Sequence, residues 1–298
     1  MDIAMIGLGK MGFNMSLRLL QGKHRVVVYD VNAQAVKDLA AQGAVAATDL
    51  KDAVAKLPSP KVVWMMLPGQ FVQPTIDAVT PLLAKGDVLI DGGNSKFTEA
   101  QARSKKLAEA GISYLDAGTS GGLWGLKFGY CLMVGGDANA FKVAEPAIKT
   151  LAPENGYLYC GASGSGHFTK MVHNGIEYGM MQAYAEGFEL LEKSGFNLDL
   201  PKVADLWGQG SVVRSWLLEL LAAALKKDPK LAGIKGWADD TGEGRWTVEQ
   251  AIEKAVPMPV ITEALFARFR SRQDVDTAFG SKIIAALRNE FGGHAVKK

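Results

Sequence analysis

A doubly wound α/β sheet followed by an all-α C-terminal domain is the fold the sequence predicts, on three observations. Short apolar runs alternate with helical patterns through the first half of the chain. The first run leads into glycines spaced GxGxxG, and the second ends on an aspartate. After Gly166 the strand-like runs stop and long apolar helices take over. Strands separated by helices form parallel sheets covered on both faces, and a glycine-rich first turn marks the Rossmann-type version of that architecture.

In chain order, IAMIG at 3–7, RVVVYD at 25–30, KVVWMML at 61–67 and DVLIDGG at 87–93 are continuous apolar runs. Parallel strands buried on both faces read this way, whereas half-exposed strands alternate. SYLDA, YCLMVGG and YLYCG extend the same sheet. The GASGSGH segment at 161–167 is a glycine- and serine-rich boundary, so residues 1–162 and 163–298 are read as separate domains. Beyond it the clearest helix is SWLLELLAAALKK at 215–227.

A chain of 298 residues with 48% hydrophobic content can bury a substantial core. Its 33 basic and 31 acidic residues leave no charge excess to attract nucleic acid or a membrane surface, so a small molecule is the expected partner. Cys131 and Cys160 each lie in an apolar strand-like run with no CxxC or Cys/His cluster. No metal site is expected, and the two are expected to be buried thiols in a reducing compartment. MDIAMIG has no basic region ahead of its apolar residues, and no apolar run reaches the roughly 20 residues that span a bilayer. The expectation is a soluble, cytoplasmic protein.

The turn after the first strand is GLGKMG: Gly7, Leu8, Gly9, Lys10, Met11, Gly12. Such glycines let backbone amides and a helix N-terminus approach a pyrophosphate. Asp30, 18 residues after Gly12, is placed to accept hydrogen bonds from an adenosine ribose. Its carboxylate would repel a ribose 2′-phosphate, and Val31 and Asn32 supply no arginine to hold one. NAD is therefore the expected cofactor. The reactive end of such a ligand lies at the carboxyl ends of the strands. There the chain places LPG (Leu67, Pro68, Gly69), GGNS with Asn94, and GTSGG with Ser120, Gly121 and Gly122. Any one of these is an ordinary turn signal; together they offer backbone groups to a nicotinamide and a carboxylate.

Residues 167–187, HFTKMVHNGIEYGMMQAYAEG, read as helix. At roughly 100° per residue, Lys170, His173, Asn174 and Glu177 share an arc of about 100°, widened by Tyr178 to about 140°. Met171, Val172, Ile176, Met180 and Ala183 lie elsewhere and are expected to pack the helix. A solvated stripe would repeat Glu, Lys and Arg; this one mixes five functional groups with Gly175 and Gly179. Each glycine costs about 1 kcal/mol inside a helix, which close approach of a ligand or another helix would offset.

GLGKMG, DGGNS, TSGG and above all KMVHNGIEYGMMQ resemble the decarboxylating 6-phosphogluconate dehydrogenases, as do WGQGSVVRSWLL at 207–218, GEGRWTVEQA at 242–251, LFARFRSRQD at 265–274 and RNEFGGH at 288–294. The glycine motifs are shared with the wider β-hydroxyacid dehydrogenases, while HNGIEY is specific. The length resembles the family's short, typically NAD-dependent form. The resemblance implies oxidation of a hydroxyl β to a carboxylate, followed by loss of CO2 from the β-keto acid. It implies Lys170 as base, Glu177 as the acid that protonates the decarboxylated carbon, and Asn174 and Asn94 orienting hydroxyl and nicotinamide. Ser120, Gly121, Gly122 and His173 would hold the phosphorylated sugar acid, and Tyr178, Arg268, Arg288 and His294 its phosphate. In the family the C-terminal segment reaches the partner's site, which implies a homodimer or homotetramer with Arg288 and His294 shared. Two departures stand out: Thr241 occupies the place of a phosphate-binding lysine, and Leu123, Trp124 and Leu126 replace charged residues after SGG. A 3-hydroxyisobutyrate-type dehydrogenase would share the glycines, Lys170 and Asn174 without needing Glu177. A non-catalytic NAD-binding sensor would be expected to have lost the lysine or the acid.

Overall fold

A computed structural model describes residues 1–273 and 279–297, so the final Asp274 of the LFARFRSRQD motif lies outside the described residues. The strands are β1 (Asp2–Ile6), β2 (Arg25–Tyr29), β3 (Val45–Ala46), β4 (Val62–Met65), β5 (Val88–Asp91), β6 (Ser113–Ser120), β7 (Cys131–Gly136) and β8 (Tyr157–Gly161). They form one sheet in the order β3-β2-β1-β4-β5-β6-β7-β8. Through β6 every pairing is parallel; β7 runs antiparallel to β6, and β8 parallel to β7. The order reverses between β1 and β4, the switch point where sheets of this kind bind dinucleotides.

Helices α1 (Lys10–Gln21), α2 (Ala33–Ala40), α3 (Leu50–Ala55), α4 (Gly69–Val79), α5 (Phe97–Glu109), α6 (Gly125–Phe128) and α7 (Ala138–Leu151) lie between the strands. Successive strand residues feed opposite cores: Ile3, Met5, Val26, Val28, Trp64 and Ile90 join one cluster, Ala4, Ile6, Val27, Val63, Met65 and Leu89 the other. This two-sided burial is why the runs read as unbroken rather than alternating. The predicted runs overshoot at Gly7, Leu67 and Gly93, where the chain leaves the ladder to form the carboxyl-end turns.

One strand goes unpredicted and one expectation is corrected here. Strand β3 carried no readable apolar run, being two residues long at the sheet edge. The thiols are not buried: Cys131, at the open end of β7, is exposed, and Cys160, on the outermost strand, is partly so.

The chain divides into two compact units, Met1–Lys170 and Met171–Lys298. The helix α8 (Ser165–Glu192) continues into the second, followed by α9 (Leu200–Trp207), α10 (Trp216–Lys227), α11 (Glu243–Glu253), α12 (Pro259–Gln273) and α13 (Phe279–Gly292). Ser215 caps α10 by accepting from the Leu218 amide. In this unit the buried residues of α8 are Met171, Asn174, Gly175, Tyr178, Gly179, Met181, Ala185 and Phe188. Met171 packs as expected, but Ile176 is 52% exposed, Met180 37%, and Ala183 is exposed too, so these three do not pack the helix. The glycines explain the reversal. A Cβ on Gly175 would press on Thr247 Cγ2 at 2.7 Å, and one on Gly179 would meet Val260 Cγ1 at 3.3 Å. Close helix approach uses both. Thr247 fixes the contact by donating to Met171 O at 2.9 Å. Burying Met181 and Phe188 fully contributes roughly 2 to 3 kcal/mol each. No helix among the described residues is long and apolar enough to cross a membrane.

Candidate active site

At the carboxyl ends of β1 and β2 the chain builds a backbone cradle. Gly7 has φ +93°, and a side chain there would meet Met66 O at 2.5 Å; one on Gly12 would meet Gly7 O. A Cβ on Gly9 would enter open space, at the N-cap of α1, which no side chain caps. The outer glycines are thus fixed by packing and the middle one faces outward, as a pyrophosphate cradle requires. Leu8 lies between them, and Lys10 and Met11 open α1. Asp30, one residue past β2, accepts from Leu8 N at 2.5 Å and Asn32 N at 2.7 Å, so its carboxylate locks the loop it would serve. Val31 beside it is 93% exposed.

Along the same edge, Pro68 caps α4 and a Cβ on Gly69 would lie 3.5 Å from Asn94 O, which brings the LPG and GGNS turns side by side. Ser120 ends β6, and Gly121 (φ +130°) and Gly122 (φ +51°) take conformations that favour glycine. Leu123 and Leu126 carbonyls accept from Asn14 and Arg18, which ties this turn to α1. Trp124, one of the three residues that replace charged ones after SGG, stacks on Phe128 at 6.0 Å on its surface. Lys170 is 9% exposed, and its Cβ abuts Gly118 so closely that no side chain fits there. A depression of 460 Å³ lined by Phe141, Lys149, Pro153, Tyr157 and Tyr159 flanks β8 and contains none of the predicted residues.

In the second unit, His173 Nδ1 lies 2.9 Å from Asn174 Oδ1 and 4.0 Å from Glu177 Oε2. Asn174 Nδ2 donates to Glu243 Oε1 at 3.0 Å, and Thr241 Oγ1 to Glu243 Oε2 at 2.6 Å. Glu243, 2% exposed, therefore fixes the amide orientation of Asn174 and holds Thr241. Sequence reasoning missed it, although it sits in the quoted GEGRW motif. Arg268 is 3% exposed, with its guanidinium 3.3 Å above the Tyr178 ring and one nitrogen donating to Asp239 O at 3.2 Å. Its Nη2 and the Tyr178 hydroxyl are buried without a hydrogen-bond partner among the described residues. Burial is the main cause that lowers the Arg268 pKa to about 10, with Tyr178 opposing it and the Arg288 charge adding to it. The group is still cationic at neutral pH. Burial likewise pushes the Tyr178 phenol up, with Arg268 opposing. Arg288, on α13 and 7% exposed, thus acts on Arg268 within one chain. The tail beyond it is tied down: Asn289 donates to His294 O at 2.9 Å, Lys235 N to Lys297 O at 3.0 Å, and Lys297 Nζ sits 3.2 Å over the Trp237 ring.

The sheet with its glycine cradle, and the helix that carries lysine, asparagine and glutamate, define a nicotinamide-dinucleotide oxidoreductase of the β-hydroxyacid dehydrogenase class. Residues 2–161 match the model of the NAD binding domain of 6-phosphogluconate dehydrogenase, and residues 166–297 that of its C-terminal domain. The chain belongs to the 6-phosphogluconate dehydrogenase family. A Bacillus subtilis protein provisionally assigned as a 6-phosphogluconate dehydrogenase is 52% identical over 100% of both chains. An NAD(+)-dependent, decarboxylating 6-phosphogluconate dehydrogenase of Haloferax volcanii is 42% identical over 100% of this chain and 99% of its own. Among solved structures, Plasmodium falciparum 6-phosphogluconate dehydrogenase has a TM-score of 0.82 at 28% identity, covering 96% of this chain and 70% of that one. Mycobacterium tuberculosis 3-hydroxyisobutyrate dehydrogenase has a TM-score of 0.76 at 25% identity, covering 96% and 99%.

Proposed function

We propose that the protein oxidatively decarboxylates 6-phosphogluconate to ribulose 5-phosphate and CO2 with NAD as the acceptor. The observation that carries this over the 3-hydroxyisobutyrate reading is the buried Arg268 against Tyr178, with two polar groups unsatisfied. Leaving buried donors unpaired costs about 1 to 3 kcal/mol each, and more when charged. A phosphate would satisfy both, and 3-hydroxyisobutyrate has none. NAD, when bound, accepts the hydride. Gly7 to Gly12 would cradle its pyrophosphate, Asp30 its ribose, and Leu67, Pro68, Gly69 and Asn94 would flank the nicotinamide.

Lys170 takes the hydroxyl proton; once protonated it hydrogen-bonds the ketone oxygen and stabilises the enolate left by CO2 loss. An ordinary lysine is protonated at neutral pH, so this role needs burial or a neighbouring positive charge to favour the neutral form. Glu177 then protonates the carbon that lost CO2. Asn174 and Asn94 orient the reacting groups; Ser120, Gly121, Gly122 and His173 hold the sugar acid; Tyr178, Arg268, Arg288 and His294 hold the phosphate. We assign cofactor binding to residues 1–162, and substrate binding and subunit association to 163–298, in a homodimer or homotetramer. The exposed Ile176, Met180 and Leu190 on α8 support association. The test is CO2 release with NAD and 6-phosphogluconate against 3-hydroxyisobutyrate. Turnover of the second alone sinks the reading.

Cofactor choice is tested separately. Two charges 4 Å apart near a surface interact by about 1 to 4 kcal/mol. Asp30→Ser with Val31→Arg is therefore expected to shift the kcat/KM ratio toward NADP by about tenfold or more. Native preference for NADP would overturn the Asp30 assignment.

A further inference from the structure

Asp91, the last residue of β5, is 0% exposed and carries more partners than packing requires. Its Oδ2 accepts from Ser95 Oγ at 2.7 Å and Tyr114 OH at 2.9 Å, with Arg103 at 3.4 Å and His167 Nε2 at 3.5 Å. Its Oδ1 accepts from Gly93 N at 3.1 Å. Burial alone would raise this carboxyl; the facing His167 imidazole, then the Ser95 and Tyr114 hydroxyls, outweigh it and hold the pKa at about 2. In the neighbouring strand Asp116 stands opposite Asp91 and accepts from Gly164 N at 2.7 Å and His167 N at 2.9 Å. His167 is thus gripped by its backbone from β6 and faced by its side chain from β5. Gly166 lies so tightly between Asp116 and Met133 that a Cβ would overlap both carbonyls.

Buried charge of this kind is weak evidence for stability, since apolar residues of similar volume often fold a core as well or better. What the network does possess is reach. Ser95 follows Asn94 directly, and His167 precedes Lys170 by one helical turn. Asp91 therefore bonds the loop of one predicted reaction residue and faces the turn that carries the other. We propose that Asp91 is a positioning residue, which through Ser95 and His167 sets the register of the Asn94 loop against the first turn of the Lys170 helix. This rests on the roles given above to Lys170 and Asn94. Hydride transfer needs that register, because a misplacement of about 1 Å costs on the order of a hundredfold in rate.

Asp91→Asn keeps the shape and removes the charge, while His167→Gln removes the imidazole. For each, kcat, both KM values, the primary isotope effect with substrate deuterated at the oxidised carbon, NAD affinity by tryptophan quenching, and amide exchange at Gly164 and His167 are measured. The proposal expects kcat to fall about ten- to a hundredfold, both KM values to stay within about threefold, the isotope effect to rise, and the two amides to exchange faster. Unchanged kcat and isotope effect per folded protein overturn it. Should Asp91→Asn fail to fold, Ser95→Ala and His167→Gln decide by the same readouts. Failure of the underlying reading looks different: Lys170→Met would then remain active, whatever Asp91→Asn does.

Discussion

Lys170→Met is expected to lower kcat by about a thousandfold or more while leaving NAD affinity within about twofold. Positioned general bases contribute roughly 10²- to 10⁴-fold, and donors aimed at a developing oxyanion another 10²- to 10³-fold. The proposed cycle asks both of this one amine. Methionine preserves the length and apolar stem of a side chain whose Cβ is already pinned against Gly118, so the helix start need not move. The cofactor cradle at Gly7 to Gly12 lies at another strand end and should be indifferent. Single-turnover reduction of NAD with a parallel NAD titration checks both halves. Turnover within tenfold of the parent would remove Lys170 from the chemistry, and a parallel collapse of NAD binding would show a folding defect instead.

The sheet was legible because its evidence is local. The runs around Ile3, Val26, Val63 and Leu89 are unbroken since alternate residues fill two cores, and glycines that cannot bear a Cβ mark the turns. The candidate site was legible as a set of side chains on one helix, but not as a set of partners. Spacing placed Lys170, Asn174 and Glu177 on an arc; it could not say which side of α8 packs. Gly175 and Tyr178 turned out buried and Ile176 exposed, since the close approach of Thr247 outweighs side-chain hydrophobicity there. Asp91, Asp116 and His167 were invisible for a related reason. Their contacts join two strands to a helix far along the chain, and no periodicity records such pairings. Glu243 was present in a quoted motif, yet only its bonds to Asn174 and Thr241 reveal a use. The exposed Cys131 shows the opposite error, since an apolar run does not tell which of its residues lies at a strand's open end.

Arg268→Met is expected to raise the KM for a phosphorylated substrate by about 30-fold or more, with kcat changed far less. Truncating one partner of a buried charged hydrogen bond costs about 2 to 5 kcal/mol, and every 1.4 kcal/mol is about tenfold in affinity. Arg268 has the geometry for that cost. It is buried, stays charged at neutral pH with a pKa near about 10, and is stacked 3.3 Å over Tyr178, so it offers Nη2 in a fixed direction. A planar guanidinium can meet phosphate through two parallel bonds, which methionine cannot imitate. Gluconate, lacking the phosphate, supplies the control: its weak turnover should be nearly the same in parent and variant. Equal losses with both substrates would make Arg268 a structural stack on Tyr178 and return the substrate question to the 3-hydroxyisobutyrate side. Arg288→Met should act in the same direction and less strongly, because it removes the second cation assigned to the phosphate while the buried Arg268 stays in place. Mixing that variant with Lys170→Met subunits restores activity only if Arg288 serves the partner's site, as the resemblance implies. No restoration would assign it to its own chain, where the tail is held by Lys235, Trp237 and Asn289.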